Sequence, residues 1–449
     1  MKKLLLSAAV AAMAVTSLPS LAAGRPDLVA ASLAAQSPYK TGELLVQFKA
    51  GTSAADKLAA LRGVGGSIAR SVVSGRGRLD VDLVRFGSNV SIENAMRLLQ
   101  ASRFVDFAEP NWIYQHDAVS NDPYFTNGSL YGMYGEATTP ANTYGSGAAE
   151  TWAANKTCSK SVYVGIIDEG VMWSHEDLAA NIWTNPYDPV DGIDNDGNGY
   201  VDDTRGWDFA YADNSTFDGV VDNHGTHVAG TIGAVGGNGK GVVGVCWSVN
   251  LITAKFLGLR GGSTADAIEA VDYFTDLKTR HGLNIVATNN SWGGGGFSQA
   301  LEDAIDRGGA ANILFVAAAG NSSVNNDVSP HYPSSYDTDY VLSVAAIDST
   351  GALASYSNYG AVSVDIGAPG SGIMSTVPSG FGNRISSGYA SYNGTSMATP
   401  HVTGAVALLS TMVPGQTALQ LKSGIIARGT PTASLIGKTT SGDRLNIGN

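Results

Sequence analysis

The alternation of apolar strand-like runs with helical stretches is the feature that most limits how this chain can fold. From Val162 to Ile366, short apolar runs with the length of a buried strand are separated by longer segments of helical patterning. This alternation predicts an α/β fold, a parallel sheet with helices on both faces. Strands are expected at 162–167, 251–256, 285–288, 313–319, 340–346 and 362–366, and helices at 224–233, 264–279, 298–307, 396–412 and 418–427.

Three reactive residue types stand at the ends of these elements. Asp168 follows the first strand, His224 opens a helix rich in small residues, and Ser396 heads a strongly apolar helix. Open α/β sheets carry their sites at the carboxyl ends of the strands. A serine becomes nucleophilic when a base takes its proton. Each residue also has a structural interpretation, as a turn residue or a helix cap. For His224 with His227, three positions apart, a metal site is a further alternative.

The surrounding motifs make the pattern more specific. His224 lies in Asp-Asn-His-Gly-Thr-His-Val-Ala-Gly, and Ser396 lies in Asn-Gly-Thr-Ser-Met-Ala-Thr-Pro-His. Pro400 is expected in the first turn of its helix, where a proline loses no hydrogen bond. With Asp, His and Ser in this chain order, residues 119–449 resemble the subtilase (subtilisin-like serine protease) family. The resemblance implies a subtilisin-like fold and a secreted serine endopeptidase that hydrolyses peptide bonds.

The resemblance assigns catalytic roles to four residues. Asp168, His224 and Ser396 would form the triad, and Asn321, which follows the expected strand 313–319, would donate its side-chain amide to the oxyanion. A catalytically silent scaffold that binds peptides is the alternative. It is disfavoured because all four positions hold competent residues.

The same resemblance implies a substrate cleft. Ser291, Trp292 and Gly293 would pair with the backbone of a bound peptide, a sequence-tolerant mode of strand addition. Ala318 and Gly320 would form the opposite wall of the pocket for the residue before the scissile bond, P1. Because these walls are small and apolar, a fairly large uncharged P1 side chain is expected.

Glu169 departs from the family pattern, in which Ser or Thr commonly follows the catalytic Asp. A second carboxylate could favour the imidazolium form of His224. A side chain pointing to solvent is the favoured interpretation. Either orientation of the Glu169 side chain leaves the triad intact.

The amino-terminal segment predicts export. Lys2 and Lys3 precede an apolar run and a small-residue cleavage site, the pattern of a signal peptide over 1–23. No later segment approaches the 18 uninterrupted apolar residues of a transmembrane helix, so no membrane anchor is expected. A secreted, extracellular monomer follows, with the periplasm as a second possible location.

Residues 24–118 differ in charge from the acidic remainder. They carry a small basic excess, whereas the whole chain has a formal net charge of −12. Their strand and helix order, with strands at 43–49, 79–86 and 105–109 and helices at 54–62 and 91–100, resembles the inhibitor-type propeptide of subtilases, a small α+β domain. It implies a self-processing zymogen inhibited by its own propeptide, with cleavage between Tyr114 and Asn121. An accessory domain is the alternative. The net charge disfavours nucleic acid as a partner.

An acidic loop over 188–203 predicts calcium. Asp194, Asp196 and Asn198 followed by Gly199 reproduce the spacing of an oxygen-ligand calcium loop, and the family commonly binds calcium. The candidate ligands are Asp194, Asp196, Asn198, the Tyr200 carbonyl, Asp202 and Asp203. A solvated acidic loop is the alternative.

Two cysteines, Cys158 and Cys246, permit one disulfide in an oxidising compartment. They precede two strands that are neighbours in the family, which would allow them to meet. Two free buried thiols remain the alternative.

Overall fold

The computed structural model of the chain describes residues 24–34, 39–74, 80–87, 90–113, 119–381 and 384–449. The predicted signal peptide, 1–23, lies outside the described residues. The chain divides into two compact units, Met1–His116 and Asp117–Asn449. In the described part of the chain, no helix combines the length and the apolarity that crossing a membrane requires.

The first unit is a four-stranded antiparallel sheet with helices, an α+β arrangement. Its elements are α1 (Pro26–Ala34), β1 (Tyr39–Phe48), α2 (Ala54–Leu61), β2 (Ser67–Ser74), β3 (Asp80–Arg85), α3 (Ile92–Gln100) and β4 (Val105–Trp112), with strand order β2-β3-β1-β4. Ser91 caps α3 by accepting from the Asn94 backbone N–H. The apolar face of α3 then packs on Leu44 and Val46 of β1. Helix α1 and strand β2 were not among the elements expected from the sequence.

The second unit contains the expected α/β sheet. Its elements are α4 (Pro123–Thr126), α5 (Ala148–Ala153), β5 (Tyr163–Asp168), β6 (Gly206–Asp208), α6 (Asn223–Gly233), β7 (Asn250–Lys255), α7 (Thr264–His281), β8 (Ile285–Asn290), α8 (Gln299–Ala310), β9 (Leu314–Ala318), β10 (Val341–Ile347), β11 (Ile366–Pro369), β12 (Ile373–Phe381), β13 (Arg384–Tyr392), α9 (Thr395–Met412), α10 (Ala418–Ala427), β14 (Thr430–Pro431) and β15 (Asp443–Arg444).

The sheet runs β14-β15-β11-β10-β9-β8-β5-β7-β6, and every pair from β6 to β11 is parallel. Both of its faces are covered. On β5, Val164 and Ile166 join the hydrophobic cluster around α6 and α9, whereas Ile167 joins the cluster around α7 and α8. This two-sided burial explains why the strands read as continuous apolar runs in the sequence.

In the second unit, one expected strand needs correction and one pair of strands was not expected. The strand expected at 362–366 begins only at Ile366. The hairpin of β12 and β13 was not expected, because Arg384–Tyr392 is a mostly polar, half-exposed sequence without a strand-like apolar pattern.

Helix α9 is buried on all sides, which is the environment that a helix of such uniform apolarity requires. Gly404 lets it approach the segment before β7, since a Cβ at that position would lie 2.6 Å from Val245 Cβ. Pro400 is the sixth residue of α9, beyond the first turn, which corrects the sequence-based expectation. It therefore removes the hydrogen bond that the Ser396 carbonyl would otherwise accept within the helix.

The two cysteines form the predicted disulfide. Cys158 and Cys246 are bonded, with their Cα atoms 5.2 Å apart. They precede β5 and β7, which are paired neighbours in the sheet. The crosslink thus lies at the amino ends of the strands, opposite the edge where Asp168 ends β5.

Candidate active site

Asp168 and His224 form a hydrogen-bonded pair at the carboxyl edge of the sheet. Asp168 is the last residue of β5, and its Oδ1 and Oδ2 lie 2.9 and 3.1 Å from His224 Nδ1. The Asp168 carboxyl is fully buried, whereas the His224 side chain is 27% exposed. An ionised carboxylate can only accept, so Nδ1 carries the hydrogen and Nε2 is left as a basic nitrogen.

This pair requires the helix start to approach the strand end very closely. A Cβ on Gly225 would lie 2.3 Å from the Gly170 carbonyl oxygen and 3.2 Å from Asp168 Cβ. Glycine after His224 therefore has a steric cause. Any side chain there would push α6 away from β5 and lengthen the Asp168–His224 contact.

The environment of His224 favours its protonated form. Burial lowers its pKa, but the charge of Asp168, the hydrogen bond to that carboxylate and the charge of Glu169 together outweigh burial. The net effect is a pKa for His224 above its ordinary value. The imidazolium that forms when the ring accepts a proton is thus stabilised by two carboxylates.

Glu169 does not point to solvent, which corrects the favoured interpretation of the sequence. Its Oε2 accepts the backbone N–H of His224 at 3.2 Å, in the first turn of α6. A carboxylate is favourable at this positive end of a helix. Burial and, next, the Asp168 charge raise the pKa of Glu169. Glu169 therefore caps the helix that carries His224.

A buried lysine ties the same strand end to the same helix. Lys255 Nζ lies 2.7 Å from Asp222 Oδ1 and also donates to the Glu169 carbonyl oxygen, and the Lys255 and Asp222 side chains are each 2% exposed. Lys255 pairs in register with Asp168 across β5 and β7, while Asp222 directly precedes α6. Sequence reasoning missed this contact, although a lysine ending an apolar strand was a visible signal.

Lys255→Met should lower the free energy of unfolding by about 3–5 kcal/mol, because it leaves the Asp222 charge buried without its partner. Adding Asp222→Asn should recover part of that loss by removing the orphaned charge. Chemical denaturation in a Ser396→Ala background, where self-digestion is not expected, measures both variants.

The matched control is Lys240→Met, since Lys240 is 49% exposed and lies 3.8 Å from Glu176. It should change stability by less than about 0.5 kcal/mol. A Lys255→Met protein as stable as this control would contradict the bracing role.

Ser396 and Ser291 are joined by reciprocal hydrogen bonds. Ser396, the second residue of α9, donates from Oγ to the Ser291 carbonyl at 3.2 Å. Ser291 Oγ in turn donates at 2.8 Å to the Ser396 carbonyl, the acceptor that Pro400 leaves free. The proline thus allows the expected cleft segment to attach directly to the start of α9.

Asn321 is oriented by the same helix start. Its Oδ1 accepts from the Thr395 backbone N–H at 2.8 Å and from Thr395 Oγ1 at 3.0 Å. Its Nδ2 has no hydrogen-bond acceptor among the described residues. A Cβ on Gly394 would lie 3.5 Å from Ser396 N and 3.7 Å from Asn321 Nδ2. Two N–H donors therefore border one small space beside Ser396.

The predicted catalytic and cleft residues form two groups in the structure. The Asp168–His224 pair lies at the start of α6 and the Ser291–Asn321–Ser396 group at the start of α9, and the two helices pack against each other. In the described part of the chain His224 and Ser396 are not hydrogen-bonded to each other, since Ser396 Oγ donates to Ser291. Trp292 packs edge-on against Phe256 with ring centroids 4.7 Å apart. The remaining cleft positions, Gly293, Ala318 and Gly320, follow or end β8 and β9, which pair in parallel.

His227 is not part of this group. It is fully buried, and its Nε2 contacts the carbonyl oxygens of Ile373 (2.9 Å) and Ala390 (3.1 Å). Burial lowers the pKa of His227 to about 3. Its ring stacks on Tyr392 with the centroids 4.5 Å apart. His227 thus holds α6 to the β12–β13 hairpin.

Acidic side chains of the 188–203 loop accept hydrogen bonds from N–H groups of the loop's own backbone. Asp194 accepts from the N–H groups of Gly197, Asn198 and Gly199. The other candidate ligands have separate partners: Asp196 with His281, Asn198 with Asp203 and the Tyr200 N–H, Asp202 with the N–H groups of Asp191 and Gly192, and Asp203 with Asn185 and Tyr273.

Within the described ranges, no three His, Cys, Asp or Glu side chains are grouped as around a metal ion. Calcium in this loop stays a prediction.

Comparison with known proteins identifies the family. The subtilase family model matches residues 159–439, and the fervidolysin N-terminal prodomain model matches residues 26–111. A thermophilic serine proteinase of Bacillus sp. (strain AK1) is 32% identical over 86% of this chain and 82% of its own length. An extracellular protease of Xanthomonas campestris is 36% identical over 72% of this chain and 54% of its own length.

A solved structure gives the same result. A protease from Pseudoalteromonas arctica superposes with a TM-score of 0.59 at 29% identity, covering 74% of this chain and 98% of that chain. Parallel sheet, buried Asp–His pair and helix-borne serine are the arrangement of a serine hydrolase. The chain belongs to the subtilase family of subtilisin-like serine proteases and carries an N-terminal prodomain.

Proposed function

We propose that this chain is a secreted, self-processing endopeptidase that uses Asp168, His224 and Ser396 as its catalytic triad. The observation that carries the proposal is the buried hydrogen bond that His224 Nδ1–H donates to Asp168, which leaves Nε2 as the base. Ser396 Oγ attacks the peptide carbonyl while His224 takes its proton and then returns it to the leaving amine. Water repeats the sequence to release the acyl group.

The developing oxyanion is stabilised by two donors, the Ser396 backbone N–H and Asn321 Nδ2. Both border the space beside Gly394, and the Asn321 amide is held by Thr395 through its oxygen. A fixed donor needs no reorganisation as charge develops, and removing one costs on the order of 10²–10³ in kcat. The segment Ser291–Gly293 pairs with the substrate backbone. Its hydrogen bond to Ser396 holds the bound backbone at a fixed distance from the nucleophile.

A serine-directed sulfonyl fluoride or organophosphorus reagent should form one covalent adduct with the mature protein, on Ser396, since the proposed triad gives that serine His224 as its base. Intact mass and peptide mapping measure it. Ser410→Ala, a buried serine of the same helix, should still be labelled, whereas Ser396→Ala should not. A mature protein that forms no adduct on Ser396 contradicts the triad.

We propose that residues 24–118 are an intramolecular inhibitor removed by the enzyme itself. The prodomain match over 26–111 supports this. Cleavage is expected between Tyr114 and Asn121, and residues 114–118 of that interval lie outside the described residues. Cleavage falls before Pro123, because proline cannot extend a strand in the cleft. Export by a 1–23 signal peptide is consistent with relatives named extracellular proteases.

Ser396→Ala should therefore accumulate as a pro-form that retains residues 24–120, with its fold kept. Mass spectrometry of purified protein decides this, with Ser410→Ala as the processed control. Normal processing of the Ser396→Ala protein, with no other protease present, would show that Ser396 does not make the cut.

Glu169→Gln should shift the acidic limb of kcat/KM to lower pH. The base is neutral His224, so activity is lost as pH falls through its pKa. The Glu169 charge raises that pKa, and glutamine removes the charge but keeps an oxygen for the His224 N–H. Steady-state rates across pH measure the shift. Glu269→Gln, at an exposed position on α7, is the control, and a shift to higher pH would contradict the assignment.

We also propose structural calcium for the acidic loop. The described part of the chain gives Asp196 an ion pair with His281 (3.2 Å) but gives none to Asp188 or Asp203, whose carboxyls are fully buried. Like charges this close repel unless a cation neutralises them.

Chelation should lower the melting temperature, because a ligand that binds only the folded state stabilises it by mass action. Asp194→Ala with Asp196→Ala should abolish the dependence on calcium. Thermal unfolding of the Ser396→Ala protein with calcium or chelator measures both. Equal melting temperatures of the unaltered loop in the two conditions would contradict a calcium site.

A further inference from the structure

His331 lies between the two segments that flank the reactive serine. A Cβ on Gly293 would lie 2.3 Å from His331 Cε1 and 2.9 Å from Nε2, and a Cβ on Gly320 would lie 3.0 Å from His331 Cδ2. Gly293 is two residues from Ser291 and Gly320 is next to Asn321, both of which bond to the start of α9. The imidazole therefore lies in the gap between the two segments, against both Gly293 and Gly320.

The ring is held in this place by its own turn. The His331 backbone N–H donates to Ser335 Oγ at 3.1 Å, and Ser334 Oγ donates to the His331 carbonyl at 2.7 Å. The same Ser334 oxygen lies 3.2 Å from His331 Nδ1. Since a hydroxyl has one hydrogen, Ser334 accepts from Nδ1–H, and Nε2 is a bare acceptor.

The neighbouring strand segment fixes the turn against the wall. Gly294 N donates to the Tyr332 carbonyl at 3.0 Å, and Gly295 forms a bridge with Tyr332. The backbone of the turn that carries His331 is therefore fixed to the Gly293–Gly295 segment, and the ring itself is held by Ser334. The absence of side chains on Gly293 and Gly320 is what makes room for the ring.

We propose that His331 is the specificity-determining residue of this protease, and that it closes the P1 pocket to all but small uncharged side chains such as Ala and Ser. This rests on the proposed function, which uses the two glycine-bearing segments as pocket walls. This proposal differs from the expectation drawn from the sequence, in which the small apolar walls accept a large P1 side chain. That expectation did not include the His331 ring between the walls.

The chemistry of the ring also argues against charged P1 residues. Burial lowers the pKa of His331, and no charged side chain in the described part of the chain interacts with it. It is therefore neutral at neutral pH and offers no charge to a Lys, Arg, Asp or Glu side chain. The bare Nε2 repels a carboxylate and can accept a hydrogen bond from a serine hydroxyl.

Tetrapeptide p-nitroanilides that differ only at P1 (Ala, Ser, Leu, Phe, Lys, Glu) test the proposal on the mature enzyme. The wild type should cleave the Ala substrate with a kcat/KM at least about 10-fold above that for Phe, since single methylenes in such pockets are worth about 10–200-fold. His331→Ala should raise the Phe-to-Ala ratio by at least about 10-fold, because removing the ring deepens the pocket.

His331→Phe is the matched variant, because it keeps an aromatic ring between the two segments, slightly larger than the imidazole and without the nitrogens. It should keep the preference for small P1 side chains while losing any advantage of Ser over Ala. Titration with the sulfonyl fluoride reagent counts the reactive Ser396 in each preparation, and each rate is divided by that concentration so that only folded enzyme is compared. A wild type that prefers Phe or Leu, or a His331→Ala profile unchanged from wild type, overturns the proposal while leaving the endopeptidase assignment intact. Failure of the wild type to cleave any peptide overturns that assignment itself.

Discussion

The contact that the rest of the site depends on is the close approach of helix α6 to the carboxyl end of strand β5. The Asp168–His224 hydrogen bond, 2.9 Å long, exists only because glycine follows the histidine and leaves space for the Gly170 carbonyl. The approach brings three acidic side chains, Asp168, Glu169 and Asp222, to one helix terminus. Lys255 is the buried cation that makes this concentration of charge tolerable.

The roles of the three acids differ because their partners differ. Asp168 accepts from the imidazole, Glu169 accepts from the backbone N–H at the helix start, and Asp222 accepts from Lys255. Asp222 stands at the N-cap position, yet its side chain makes no capping bond to α6. Glu169 supplies that function from another element, so the departure from the family pattern next to Asp168 has a structural cause.

The sequence predicted well what depends on neighbours along the chain and on burial. Two-sided burial of the strands made β5, β7, β8, β9 and β10 visible as apolar runs, and the motifs around His224 and Ser396 located the site. Contacts between distant segments were not predictable. Lys255 and Asp222 are 33 residues apart, and His331 reaches the two pocket glycines from a turn with no recognisable pattern. The predicted direction of the Glu169 side chain was also wrong, because that direction depends on where the first turn of α6 lies.

The proline in α9 connects specificity to chemistry in a way that neither motif reveals alone. By leaving the Ser396 carbonyl without a helical donor, Pro400 creates an acceptor that Ser291 fills, and Ser396 Oγ donates back to the Ser291 carbonyl. The segment that continues to Gly293, beside His331, is therefore attached to Ser396, the nucleophile of the proposed function. On that proposal, substitutions at His331 should act on turnover as well as on binding, because the size of the group between the two segments acts on Ser396 through two hydrogen bonds.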